Sequence, residues 1–226
     1  MRRGVLFDLD GTLLDTVEDF YRIIEQMRSE RAAPEVPAQV IRQQVSNGSV
    51  GMLCAAFAIR PDAADFTALR DDFLQRYEQQ LAVHTRPFPG ITELLDWLDE
   101  EQIPWGVVTN KLSRFSIPLL AAMGWSERCA ALVCPDQVSQ PKPHPEPLFK
   151  ACEQMAVDPV GSLFVGDHLR DIDAGRAAGM QTVAALYGYL PVGDDPGRWQ
   201  ADHCITHAVE LRPWLTRQWQ PEKCHV

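Results

Sequence analysis

Apolar residues in the first third of the chain recur at helical spacing, whereas further on they come in short runs. Phe20, Ile23, Ile24 and Met27 fall three and four apart, as do Phe66, Leu69, Phe73 and Tyr77, so each set forms one face of a helix. Residues 16–81 are therefore predicted to be largely helical. Breaks are expected at Ala33-Pro34-Glu35-Val36-Pro37 and at Ser46-Asn47-Gly48-Ser49, where Pro, Gly and Asn favour turns. Ahead of this stretch, residues 5–9 form a short, partly β-branched apolar run ending in Asp10-Gly11-Thr12. That reads as a buried strand entering a tight turn.

After Arg86-Pro87-Phe88-Pro89-Gly90 the pattern changes to alternating units. Helices are predicted over 91–101, 115–123, 147–155 and 171–178, and strands over 105–109, 131–134, 162–165 and 182–186. Such alternation predicts an α/β fold, a doubly wound parallel sheet with helices on both faces. The opening strand belongs to that sheet, so the helical stretch is an insertion beyond its first loop. The expected division is a core of residues 1–15 and 88–226 and an inserted α-helical domain of residues 16–87. No internal repeat is visible, and the tail after about Trp219 is expected to be loose.

A chain of 226 residues with 46% hydrophobic content suffices to bury a packed core. Its charge narrows the partners. Lys and Arg total 21 against 31 Asp and Glu, a formal net charge of -10, so no broad basic surface is available for nucleic acid. A small anion can still be held by local amides, a lysine or a metal ion. The apolar run behind Arg2 and Arg3 is too short for a signal peptide or a membrane span, and the six cysteines show no C-x-x-C pair. A cytoplasmic protein with reduced thiols and no membrane partner is expected.

In an open parallel sheet, ligands bind beyond the carboxyl ends of the strands, and four predicted strand ends carry reactive groups. Asp8 and Asp10 close the first, where a turn can aim both carboxylates at one pocket; alone, they also suit an ordinary Asp-Gly turn. Thr109 and Asn110 offer a hydroxyl and amides suited to phosphoryl oxygens, or to a turn. Lys142 sits among alternating prolines, Pro141, Pro143, Pro145 and Pro147, which stiffen the loop around an ammonium group. Asp167 and Asp171, four residues apart, present oxygens suited to a hard cation such as Mg2+; Asp171 also suits a helix N-terminus. The histidines His203 and His207, with Cys204 between them, lack the further ligands a soft metal needs.

Together D8-L-D10-G-T-L-L-D15, V-V-T109-N-K, K142-P-H-P-E-P and G-D167-H-L-R-D171, in this order, resemble the haloacid dehalogenase superfamily of phosphohydrolases over nearly the whole chain. The resemblance implies a core of that type with a helical cap hinged near residues 14–17 and 87–90. It implies a phosphomonoesterase in which Asp8 is the nucleophile, forming an aspartyl phosphate, and Asp10 protonates the leaving alcohol and later activates water. Asp8, the backbone carbonyl of Asp10 and Asp167 would hold Mg2+, Thr109, Asn110 and Lys142 would neutralise the phosphoryl oxygens, and Asp171 would orient the metal shell. His168 departs from the small Ser or Asp common among relatives and is expected to act as a hydrogen-bonding spacer beside that shell.

Discrimination between substrates is expected from the cap, whose candidate loop spans residues 42–51, with Arg42, Ser46, Asn47 and Gly48 as its polar groups. The chain resembles the phosphoglycolate phosphatase group within the superfamily. The further segments I-R-Q-Q-V-S-N-G, C134-P-D-Q-V and Y187-G-Y-L imply a small phosphorylated metabolite, an amino-sugar phosphate (N-acetylmuramic acid 6-phosphate, of peptidoglycan recycling) ahead of 2-phosphoglycolate. A sugar phosphomutase and a non-catalytic phosphate-binding protein are the alternatives from other classes. A dehalogenase would need neither Asp10 nor the acidic pair Asp167 and Asp171.

Overall fold

The computed structural model describes residues 2–191 and 193–219; the tail expected to be loose and Cys224 lie outside them. In chain order, β1 (Val5–Phe7) is followed by a short β2 (Leu14–Asp15), then by α1 (Val17–Glu30), α2 (Ala38–Arg42), α3 (Gly48–Phe57) and α4 (Phe66–Gln79), and by β3 (Arg86–Pro87). The rest alternates: α5 (Ile91–Glu100), β4 (Trp105–Val108), α6 (Ser113–Ala122), β5 (Leu132–Val133), α7 (Glu146–Met155), β6 (Leu163–Gly166), α8 (Leu169–Ala177), β7 (Gln181–Ala185), β8 (His203–Ile205) and α9 (Leu211–Trp219). The predicted helices and strands of the core are all found, with ends shifted by a residue or two.

Six strands form one sheet in the order β5-β4-β1-β6-β7-β8, every pairing parallel. Strand β1 is fully apolar and buried on both faces, as a central parallel strand must be. The chain builds outward from it through β4 to β5 and then returns to its other side at β6. That reversal opens a crevice at the carboxyl end of β1, where Asp8 begins.

Strand β8, His203-Cys204-Ile205, was not anticipated. Three residues with one buried apolar side chain carry no strand pattern; β7 recruits them through main-chain pairing, Val183 opposite His203. The His203 ring stacks on Trp214 with centroids 5.1 Å apart, while His207 contacts Thr206 and Glu210. These histidines thus serve packing and a turn.

The helices between β2 and β3 pack because their apolar faces meet. Phe20 of α1 lies 4.7 Å from Tyr77 and 6.2 Å from Phe73 of α4, centroid to centroid, and Tyr77 reaches Phe115 of α6 at 5.2 Å. Such aromatic contacts each contribute about 1 kcal/mol beyond area burial. The same stack continues from the insertion into the core. Both chain connections to the insertion pass through the antiparallel pair β2 and β3, with Leu14 opposite Pro87 and Asp15 opposite Arg86. Among the described residues no helix is long and apolar enough to cross a membrane.

Candidate active site

Beyond the tip of β1, three carboxylates and one ammonium meet. Lys142 is almost completely buried, and its Nζ lies 2.8 Å from Asp8 Oδ1 and 2.8 Å from Asp171 Oδ1. It also donates a hydrogen bond of 2.8 Å to the Val108 carbonyl, at the end of β4. Burial alone pulls an ammonium toward neutrality, yet Asp171 and Asp8 outweigh it and hold Lys142 above the ordinary lysine value. The lysine expected to stand in a stiff loop is thereby fixed between two strand tips.

Asp167 directly follows β6, is 1% exposed, and accepts hydrogen bonds from the Tyr189 amide at 2.7 Å and the Thr12 hydroxyl at 3.3 Å. Burial raises its pKa from the ordinary aspartate value, and the charges of Asp8 and Asp171 push in the same direction. Asp171 is pushed up to about 6 by burial, against the pull of Lys142. The loops press hard on Asp167: a Cβ on Gly11, which has φ +90°, would collide with its carboxylate, and one on Gly188 with its Cβ. Only glycine permits both the left-handed turn and the close approach.

Asp8, Asp167 and Asp171 each offer an oxygen within 4.8 Å of the others. Asp8 Oδ1 and Asp171 Oδ1 are buried without a directed hydrogen bond, so the nearby ammonium satisfies them by charge alone. One ammonium cannot balance three close carboxylates in a low-dielectric pocket. A hard, all-oxygen donor set carrying excess negative charge fits a divalent cation of the magnesium class.

Asp10 faces the same cavity from the first turn after β1. It accepts a 2.7 Å hydrogen bond from the Thr16 hydroxyl, and Lys111 Nζ lies 3.1 Å from each of its two oxygens. Asn110 Nδ2 donates to the Lys142 carbonyl at 3.0 Å, bracing the proline-rich loop. The Thr109 hydroxyl oxygen accepts from the Lys111 amide at 3.2 Å, which leaves its proton free to donate. His168 caps α8: its Nδ1 accepts from the Arg170 amide at 3.1 Å and its own amide donates to Asp171 Oδ2 at 3.1 Å. Burial and the adjacent Arg170 lower its pKa to about 4, so the ring is a neutral spacer.

A cavity of about 320 Å³ opens above these groups, with Asp8, Asp10, Thr109, Asn110, Lys111, Lys142, His168 and Arg170 in its floor. Its roof and sides come from the insertion: Ser46, Asn47, Gly48, Ser49 and Arg70, with Phe20, Met52, Phe73, Leu74 and Tyr77 as an apolar wall. Ser46, Asn47 and Gly48 thus stand where the sequence expected them. Arg42 does not, and that expectation is corrected. Its guanidinium lies 3.4 Å from Asp15 Oδ2 and 4.8 Å from the centroid of Tyr189, which commits it to the junction between insertion and core.

Three residues of the site escaped sequence reasoning. Lys111 was visible within T-N-K, next to two residues assigned a role, but its pairing with Asp10 spans 101 positions. Arg70 carried no signal, being one of several charges on an amphipathic helix. Tyr189 binds Asp167 through its amide, and its hydroxyl accepts from the Thr16 and Val17 amides at 2.7 and 3.1 Å and donates to Asp15 at 2.7 Å. Only the tertiary fold reveals that junction.

The family model for haloacid dehalogenase-like hydrolases matches residues 5–185. The chain is 49% identical over 210 residues to the N-acetylmuramic acid 6-phosphate phosphatase of Pseudomonas putida, covering 93% of this chain and 94% of that protein. It is 43% identical over 217 residues to a phosphoglycolate phosphatase of Xanthomonas campestris, covering 96% and 97%. A crystal structure from Haemophilus somnus, described as a predicted phosphoglycolate phosphatase, superimposes with a TM-score of 0.81 at 24% identity, over 94% of this chain and 97% of that one. At that identity the likeness concerns the fold.

Proposed function

The chain belongs to the haloacid dehalogenase-like hydrolase family, and from that membership we propose a phosphomonoesterase that works through an aspartyl phosphate on Asp8. The observation that carries the reading is the clamp of Lys142 on Asp8 and Asp171 at the cavity floor, with Asp10 two residues beyond the nucleophile. The similarity to named phosphatases over more than nine-tenths of the chain supports it.

Asp8 attacks phosphorus with one carboxylate oxygen, forming the acyl phosphate as the bond from phosphorus to the leaving oxygen breaks. Asp10 gives that oxygen its proton, and the alcohol departs. Asp10 then takes a proton from water as the water oxygen bonds to phosphorus. The acyl phosphate bond breaks, inorganic phosphate forms and Asp8 is regenerated. Thr16 and Lys111 hold the Asp10 carboxylate beside the cavity, while Lys142, Thr109 and Asn110 balance charge on the phosphoryl oxygens. Asp8, Asp167 and the Asp10 carbonyl would hold Mg2+, with Asp171 behind them; when bound, it supplies Lewis-acid neutralisation of the phosphoryl group. His168 keeps α8 and Asp171 in register.

The helices between β2 and β3 are read as a cap, the strand pair serving as its hinge, and the enzyme is read as cytoplasmic. The preferred substrate is N-acetylmuramic acid 6-phosphate, as in peptidoglycan recycling, with 2-phosphoglycolate as the second reading. The cavity favours the first: about 320 Å³ with a broad apolar wall suits a sugar ring, and a two-carbon acid leaves most of it empty. The test is phosphate release from both compounds and from common sugar phosphates, with Mg2+ and with chelator, ranked by kcat/KM. A magnesium-dependent preference for the muramic compound is expected. A preference for 2-phosphoglycolate would move the second reading ahead, and no hydrolysis of any compound would overturn the phosphatase proposal.

A further inference from the structure

We infer that Arg70 of the cap receives a second anionic group of the substrate, a carboxylate on the leaving portion, and so sets specificity for phosphorylated acids over neutral sugar phosphates. The inference rests on the proposed function and assigns a role to a residue outside the catalytic set.

Four cationic side chains line the cavity, and two are ion-paired within the protein. Lys142 lies against Asp8 and Asp171, and Lys111 against Asp10. Arg170 lays its guanidinium along the His168 ring, with Nε 3.2 Å from Nδ1 and a terminal nitrogen 3.2 Å from Nε2. Arg70 comes from the insertion, not from the core. Among the described residues its one hydrogen bond is from Nε to the Ser49 hydroxyl at 3.1 Å, with no ion pair. That contact orients the guanidinium and leaves its terminal nitrogens free.

A half-buried guanidinium with a free edge on a cavity wall is a ready receptor for a planar anion, because two parallel N–H groups match two carboxylate oxygens. The phosphoryl group already has its cations on the floor, at Lys142 and the acidic cluster. Arg70 lines the cavity from α4 of the insertion, whereas the phosphoryl-binding groups come from the core, so it is assigned to the part of the substrate that leaves. Both substrates in question carry a carboxylate as well as a phosphomonoester. A site built around such a bond disfavours the analogue lacking it, since the half-buried cation is then left unpaired.

The test uses one pair of substrates that differ only in the 3-O-lactyl group, which carries the carboxylate: N-acetylmuramic acid 6-phosphate and N-acetylglucosamine 6-phosphate. The readout is the ratio of their kcat/KM values within one protein sample, so any loss of folded or closable enzyme cancels. Wild type is expected to favour the acid, and Arg70→Gln to lower that ratio by about 10- to 100-fold, the range of a hydrogen-bonded charge. Arg70→Lys should fall between, keeping the charge but not the fork. An unchanged ratio in Arg70→Gln, with both rates reduced together, would assign Arg70 to cap closure or to the phosphoryl group and overturn the inference. A wild-type ratio near one would overturn it while leaving the phosphatase intact. Hydrolysis of neither compound would remove the proposed substrate and the inference with it.

Discussion

Lys111 Nζ stands 3.1 Å from both carboxylate oxygens of Asp10 and 4.7 Å from the ring centroids of Phe20 and Tyr77. One ammonium therefore joins the proposed proton-transfer group of the core to the aromatic stack of the insertion. If Asp10 is the general acid and base, Lys111→Met should lower kcat by about 10²-fold, the lower end of what such a group contributes. KM should change less, and Lys111→Arg should recover part of the loss. Steady-state kinetics on the three proteins, with melting curves to exclude unfolding, decide the matter. Unchanged kcat in Lys111→Met would mean that the pair only stabilises the cap.

Asp8→Asn removes the nucleophile at almost constant volume. Turnover should fall by about 10⁴-fold or more, as when other covalent nucleophiles are removed. Without metal the variant should melt no lower than wild type, because one of three crowded carboxylates has become neutral. Full activity in this variant would eliminate the aspartyl phosphate.

The crowding itself predicts a metal response. Asp167 is buried and its pKa is raised by desolvation and by its two acidic neighbours, so its ionised form is disfavoured until a cation balances it. Magnesium at about 100 times its dissociation constant should stabilise the fold by about 2.7 kcal/mol. For a chain of this size that is a rise in Tm of roughly 5–10 °C. Asp167→Asn should abolish the rise while melting no lower than metal-free wild type. Thermal melts with Mg2+ and with chelator test this without any substrate, and a rise retained in the variant would count against Asp167 as a ligand.

Much of this architecture was legible because it follows from local pattern. Phe66, Leu69, Phe73 and Tyr77 had to share a helix face, and Val5 to Phe7 had to be a buried central strand. The acids and Lys142 were legible as strand-end residues, since a parallel sheet exposes its chemistry there. What was missed depends on partners distant in sequence. Strand β8 exists because β7 offers it an edge, Arg42 is drawn from the cavity by Asp15 and Tyr189, and Arg70 is distinguished only by the cavity that it faces.

The Tyr189 hydroxyl ties three points of the junction between insertion and core, at Asp15, Thr16 and Val17. Tyr189→Phe leaves the Thr16 amide unsatisfied in a buried position, which costs about 1–3 kcal/mol. A drop in Tm of roughly 2–4 °C for each kcal/mol is expected, together with faster amide hydrogen exchange at residues 14–17. A lowered Tm without faster exchange there would show that the loss is felt elsewhere in the fold.

Burial pushes the thiols of Cys129, Cys134 and Cys152 up to about 11, from an ordinary value of 9.0. The folded state then binds more protons than the unfolded state between those values, so stability must fall as pH rises from about 9 to 11. Below pH 9 both states hold the protons, and the three thiols contribute no pH dependence. Cys152 packs in α7 away from the cavity, with 2% exposure, which makes it the cleanest probe. Cys152→Ala should flatten part of the alkaline loss in urea melts at pH 7.5, 9 and 10.5, at the cost of a small cavity at every pH. The same burial shields the three thiols, whereas Cys204, the exposed one among the described cysteines, should alkylate before them when modified peptides are mapped. Equal slopes in wild type and Cys152→Ala would mean that this thiol does not couple folding to pH.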